Sequence, residues 1–105
     1  MKHTDVFCSI RNVAMKLKPE NGKIILFGSQ ARGDAHENSD WDILVLLDKD
    51  KIEVIDHDKF TYPFWELGWE INAMIHPIVY TSKEWSTLSH TSFRDNVELY
   101  GIVLC

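Results

Sequence analysis

Apolar residues recur along this chain with two periods, and the change from one to the other marks out its elements. Val6, Ile10, Val13 and Leu17 follow one another at steps of four and three, and Phe7 and Ala14 widen the stripe. That spacing predicts an amphipathic helix whose start Thr4 or Asp5 can cap. Pro19 cannot continue the helix, and Asn21-Gly22 is a strong turn signal. "KIILF" then reads as a short buried strand ended by Gly28. The following polar stretch opens with "SQARGD", which can make one turn of helix directly after the strand. "WDILVLL" is nearly continuous in apolar residues, as a central strand is.

The second half reads less evenly. Phe60, Phe64, Leu67 and Ile71 follow helical steps, and Pro63 suits a first helical turn. A helix is expected from about Tyr62 to Glu70, preceded by an irregular, solvated stretch ("DKDKIEVIDHDK") and stopped near Asn72. "MIHPIVY" predicts a third strand, and Pro77 puts it at a sheet edge or a bulge. "TSKEW" is a capping box, in which Thr81 accepts a backbone N–H while Glu84 reaches back. A short helix around Arg94–Tyr100 ends at Gly101, and "IVL" supplies a last strand. With no repeat, linker or low-complexity segment, the pattern predicts one α+β domain over residues 1–105, a sheet covered by helices.

Composition narrows the function. Of 105 residues, 45% are hydrophobic and 11% aromatic, as in a folded globular chain. The formal charge of −5 argues against a protein that coats nucleic acid, which needs a basic surface. Cys8 and Cys105 stand near opposite ends without a disulfide framework, which favours a reducing compartment. The first seventeen residues lack the apolar core of a signal peptide, and no run reaches transmembrane length. The expectation is a cytoplasmic protein. Cys8 is expected in the core, His57 and His90 at the surface, and Trp65, Trp69 and Trp85 in core or interface. Exposed aromatics and short edge strands are compatible with a homodimer.

The chemistry concentrates in "LFGSQARGDAHENSDWDILVLLD". Asp40 and Asp42 are separated by one residue, so on a strand they share a face and repel each other. Asp42 also lies inside an apolar run, where a carboxylate is costly unless paired or bound to metal. A divalent ion between the two removes both problems. Mg²⁺ suits the donors, since it takes oxygen ligands and commonly uses one or two carboxylates together with substrate phosphates. Gly28 lets a ligand approach the backbone closely, and the Ser29 hydroxyl and nearby N–H groups can hold phosphate oxygens. The lysine of a P-loop is missing, so the aspartate pair takes a larger share of the charge balance.

Gly28-Ser29, ten residues, then Asp40-x-Asp42 resembles the signature of the DNA polymerase β-like nucleotidyltransferase superfamily. The string "FGSQARGDAHENSDWDILV" most resembles the minimal nucleotidyltransferase domains of bacteria and archaea. The resemblance implies a small mixed sheet flanked by helices, like the polymerase β palm. It also implies transfer of a nucleoside monophosphate from ATP or another triphosphate, with loss of pyrophosphate. Gly28, Ser29 and Ser39 would serve the nucleotide, and Arg32 would contact phosphate or pin the loop through Asp34. Asp40 and Asp42 would hold Mg²⁺, two ions when the triphosphate is bound.

The family's third carboxylate has no clean counterpart. If "MIHPIVY" is the relevant strand, His76 takes that position. If the strand began near Trp69, Glu70 would. Stand-alone domains of this kind are often antitoxins that nucleotidylate a HEPN-type toxin, so the resemblance also implies a protein partner. Antibiotic modification and nucleic-acid end addition are the other enzymatic options, and the negative charge counts against the latter. The alternative from a different class is a nucleotide- or partner-binding module without turnover.

Overall fold

The stripe of the first helix closes over one face of a four-stranded sheet. The computed structural model describes residues 2–36, 38–88 and 91–105. Helix α1 (His3–Leu17) buries Val6, Ile10 and Ala14. It starts one residue before Thr4, after Lys2, with no side-chain cap, and Asp5 in its first turn meets the positive end of the helix dipole. Lys18 and Asn21 take positive φ angles to turn the chain into β1 (Lys23–Phe27). The remaining elements are α2 (Ser29–Arg32), β2 (Trp41–Leu47), α3 (Val54–Asp56), a π-helical turn (His57–Thr61) and α4 (Tyr62–Ile71). They continue with β3 (Ile75–Thr81), α5 (Ser82–Thr87), α6 (Ser92–Tyr100) and β4 (Ile102–Val103).

The sheet order is β3-β2-β1-β4. Strand β2 pairs antiparallel with β1 and parallel with β3, so the sheet is mixed and β2 is internal. Pro77 lies on β3, an edge strand, where a missing N–H is tolerated. Alternation along β2 then sorts side chains by face. Trp41, Ile43, Val45 and Leu47 join Ile10, Ala14 and Phe64 under α1 and α4. Leu44 and Leu46 face Trp85 of α5 and Val97 of α6. By the same period Asp42 belongs to the α5/α6 face, at the end of the strand.

The stretch 48–59, expected to be irregular and solvated, is helical from Val54 onward. The reason is Asp56, which is buried. Its carboxylate accepts the Glu53 N–H at 2.8 Å and the Lys49 ammonium at 2.8 Å, closing a capping box at the start of α3. Burial pushes the Asp56 carboxyl up, and those two partners outweigh it and hold it below the ordinary value. The Thr61 hydroxyl donates to the His57 carbonyl at 2.8 Å across the π turn that leads into Pro63 and α4. Cys8 is exposed on α1, not in the core. Trp85 is buried, whereas Trp65 and Trp69 lie on the surface, as does His57. His90 lies outside the described residues.

Candidate functional site

Strand β1 ends at Phe27, and the next residue has φ 77° and ψ −160°, a backbone that only glycine adopts freely. A Cβ on Gly28 would overlap the Asp42 carboxylate. Glycine therefore serves twice: it makes the turn, and it lets the carboxylate lie against the backbone. The Gly28 carbonyl accepts the N–H groups of Ala31 and Arg32, each at 3.1 Å, which starts α2. Gly33, in the left-handed conformation, stops it and donates to the Ser29 carbonyl at 3.0 Å.

The loop from Gly33 back to β2 is held by polar contacts. Gln30 is buried, donates through Nε2 to the Ser39 carbonyl at 3.1 Å, and bonds His3 Nε2 through Oε1 at 2.9 Å. The Ser39 hydroxyl accepts the His36 N–H at 2.6 Å. Arg32 Nε donates to Asp34 Oδ2 at 3.4 Å, an exposed contact within the loop. The Trp41 N–H donates to the Met74 carbonyl at 2.8 Å and joins the starts of β2 and β3.

Register then brings the chemistry together. Phe27 lies opposite Asp42, and Asp42 opposite His76. His76 Nε2 is 3.8 Å from Asp40 Oδ2, within ion-pair range but too long for a hydrogen bond. That nitrogen is itself buried and has no hydrogen-bond partner. The imidazole lies tilted against the Trp65 ring, with centroids 5.6 Å apart. Burial raises the Asp42 pKa, the Asp40 charge raises it further, and His76 and Arg32 pull it part of the way back. The balance of these effects favours the protonated form of Asp42.

Gly28, Asp40, Asp42 and His76 lie together, with half-buried Ser29 opening α2 beside them. Ser39 is engaged in the loop. Glu70 does not join the site. It is exposed near the end of α4, Asn72 turns the chain in the left-handed conformation, and β3 begins only at Ile75. Gln30 was not singled out from the sequence, because its partner His3 is 27 residues away. Among the described residues, no three His, Cys, Asp or Glu side chains form a group that could hold a metal ion on their own. The donors do fit an ion that arrives with a triphosphate. Asp40 and Asp42 are oxygen donors of the kind that hold a divalent ion together with substrate phosphates.

A family model described as "Nucleotidyltransferase domain" matches residues 8–103. The chain belongs to the nucleotidyltransferase domain family. Two proteins of Methanocaldococcus jannaschii, MJ0141 and MJ0604, carry provisional names as protein adenylyltransferases. The first is 35% identical over 88% of this chain and 87% of its own length. The second is 44% identical over 78% and 76%. The fold is also that of two toxin–antitoxin crystal structures. One, solved with AMP-PNP, has a TM-score of 0.57 at 24% identity, covering 90% of this chain and 72% of that one. The other, MntA-HpeT carrying two aspartate-to-glutamate substitutions two residues apart, has a TM-score of 0.60 at 20% identity. It covers all of this chain and 73% of that one. This nucleotidyltransferase domain is thus an α+β enzyme fold, and among its described residues no helix is long and apolar enough to cross a membrane.

Proposed function

We propose that this nucleotidyltransferase moves the nucleoside monophosphate of ATP, or of a related triphosphate, onto a hydroxyl of a partner protein. The observation that carries the reading is the convergence of Asp40 and Asp42 beside the glycine turn of Gly28-Ser29. In it, Gly28 lets the triphosphate reach the backbone, and the Ser29 hydroxyl donates to a phosphate oxygen. Arg32 exchanges its exposed contact with Asp34 for phosphate, which a guanidinium binds well. Asp40 and Asp42 would hold the divalent ions, Mg²⁺ in the family's usual chemistry. When bound, such ions supply Lewis-acid polarisation of the transferred phosphoryl group and charge balance for the pyrophosphate. Holding the triphosphate and acceptor in line is the protein's share of the work.

The protein acceptor is supported by the names of the two archaeal relatives and by the toxin–antitoxin complexes that share the fold. It also agrees with the molecule's surface. Tyr62, Trp65, Trp69 and Met74 are exposed around α4, and the chain carries −5 overall. Such a surface suits a protein better than a nucleic acid. The partner in this reading is a HEPN-type toxin, and the compartment is the cytoplasm, where ATP is abundant.

Incubating the purified protein with a cell extract and ATP labelled at the α-phosphate tests the proposal. A labelled protein that disappears with Asp42→Asn supports it. No label from the α-position on any protein contradicts it. One observation favours a second reading: His76 stands where a third carboxylate is expected. A binding module without turnover would keep its cellular effect in the Asp42→Asn variant, and an enzyme would not.

A further inference from the structure

Strand β3 ends the sheet, so one side of its backbone has no neighbouring strand. The Met74 carbonyl accepts the Trp41 N–H, and pairing with β2 continues in parallel register to Thr81. By the period of two, His76, Ile78 and Tyr80 turn their main-chain groups toward β2. Ile75, Pro77 and Val79 turn theirs to the open side. Val79 thus offers an N–H and a C=O there, and Pro77, which has no donor, a C=O alone.

Facing this edge, His57, Thr61 and Trp65 stand four residues apart on the π turn and α4. Together with residues 77–80 of β3 they line a groove of about 480 Å³. A helix ridge on one side and an open strand on the other suit an extended peptide that adds to a sheet edge. The groove also leads to the site. Val79 is three residues from His76, roughly 10 Å along the strand, and His76 stands opposite Asp42. Trp65 joins the two regions, its ring centroid 5.6 Å from that of His76.

Charge then selects the occupant. Residues 60–82, which span α4 and β3, contain Glu66 and Glu70 but no lysine or arginine. Lys59, just before them, lies over the Phe60 ring. Both glutamates are exposed, and exposed Tyr62 and Trp69 on the same helix meet edge to face, with centroids 5.9 Å apart. Carboxylates beside open aromatic faces favour lysine or arginine, through ion pairing and cation–π contact. Asp40, half exposed beside His76, extends the same sign to the end of the groove.

We infer that β3 is the docking edge for the acceptor. An extended, basic segment of the partner protein pairs with the main chain at Val79 and Pro77 and presents its hydroxyl at Asp40 and Asp42. The inference deepens the proposed transfer and rests on it. In that transfer the segment's hydroxyl oxygen bonds the α-phosphorus, pyrophosphate leaves with the bridging oxygen, and the hydroxyl proton passes to water.

Short synthetic peptides test it, each with one tyrosine or serine flanked by valine alternating with either lysine or glutamate. They are incubated with the full chain and ATP labelled at the α-phosphate. Basic peptides are expected to take label about tenfold faster than acidic ones. Methylating alternate peptide nitrogens should abolish labelling in one register and spare it in the other. Glu66→Lys combined with Glu70→Lys should reverse the charge preference and leave ATP affinity unchanged. Amide exchange should find the Val79 N–H open in the free protein and protected with the basic peptide. Equal labelling of basic and acidic peptides, or a preference that the double variant does not move, overturns the inference alone. So does label on a protein of the cell extract with none on any peptide. Label on neither overturns the transfer reading with it. Val79 protection in the free protein that grows with protein concentration assigns the edge to a second copy of the chain and overturns the inference as well.

Discussion

At the scale of single residues, the site keeps a carboxylate where the unliganded fold would be more stable without one. Asp42 is half-buried, stands near Asp40 and has its pKa raised above the ordinary 3.8. A raised acid pKa means that the folded state holds the proton more tightly than the unfolded state does. The associated stability is present at low pH and is lost as the pH rises through the folded pKa. Replacing the carboxylate with a neutral amide removes that loss. Asp42→Asn is therefore expected to raise the melting temperature of the unliganded protein at neutral pH while abolishing transfer. The gap between the two proteins should close as the pH falls toward 3.8. Melts across that range check it, and equal midpoints at neutral pH would contradict it. Gly28→Ala acts on the same contact from the other side. It forces a side chain into a glycine-only backbone and against Asp42. A loss of about 1–3 kcal/mol in urea unfolding is expected, together with loss of nucleotide binding.

Individual elements show what the chain makes readable and what it does not. The first helix, the strands and the capping box at Thr81 are written in local spacing. They match because each depends on its own apolar period or cap: Glu84 N–H donates to Thr81 Oγ1 at 3.0 Å, and Thr81 N–H donates to Glu84 Oε1 at 2.8 Å. The helical stretch from Val54 was not legible. Its charges look like a solvated run, and only the fold shows Asp56 turned inward onto Lys49 and the Glu53 N–H. The choice between His76 and Glu70 hung on where β3 begins. The left-handed turn at Asn72 fixes that start, and spacing alone does not reveal it. Gln30 was hidden because its partner His3 is 27 residues away. Asp56→Ala should cost about 1 kcal/mol through loss of the cap at α3. The depressed Asp56 pKa puts that stabilisation above the ordinary 3.8 and removes it as the pH falls through the folded value. Chemical denaturation at neutral and acid pH reads both. Trp85→Ala removes a buried ring whose Nε1 donates to Glu98 at 2.8 Å, and about 3–5 kcal/mol of unfolding free energy should go with it.

For the molecule as a whole, the two faces of the sheet divide the work. The α1/α4 face carries the larger core, and the α5/α6 face ends in the Asp42–His76 pair at the strand ends. Around the edge, α4 presents exposed aromatic residues, with Trp65 reaching the site through His76 and Trp69 lying farther out. Trp69 is 68% exposed, so Trp69→Ser should change stability by no more than about 0.5 kcal/mol. If α4 meets the acceptor, the same substitution should leave ATP affinity unchanged and lower labelling of the acceptor about tenfold. In the proposed function, Gly28-Ser29 and Asp40-x-Asp42 together hold a metal-bound triphosphate. Calorimetric titration of ATP into the purified protein, first with Mg²⁺ and then with EDTA, tests it most directly. Binding is expected to require the divalent ion and to disappear in Asp40→Asn. Absence of binding under either condition, or binding indifferent to both EDTA and Asp40→Asn, would contradict it.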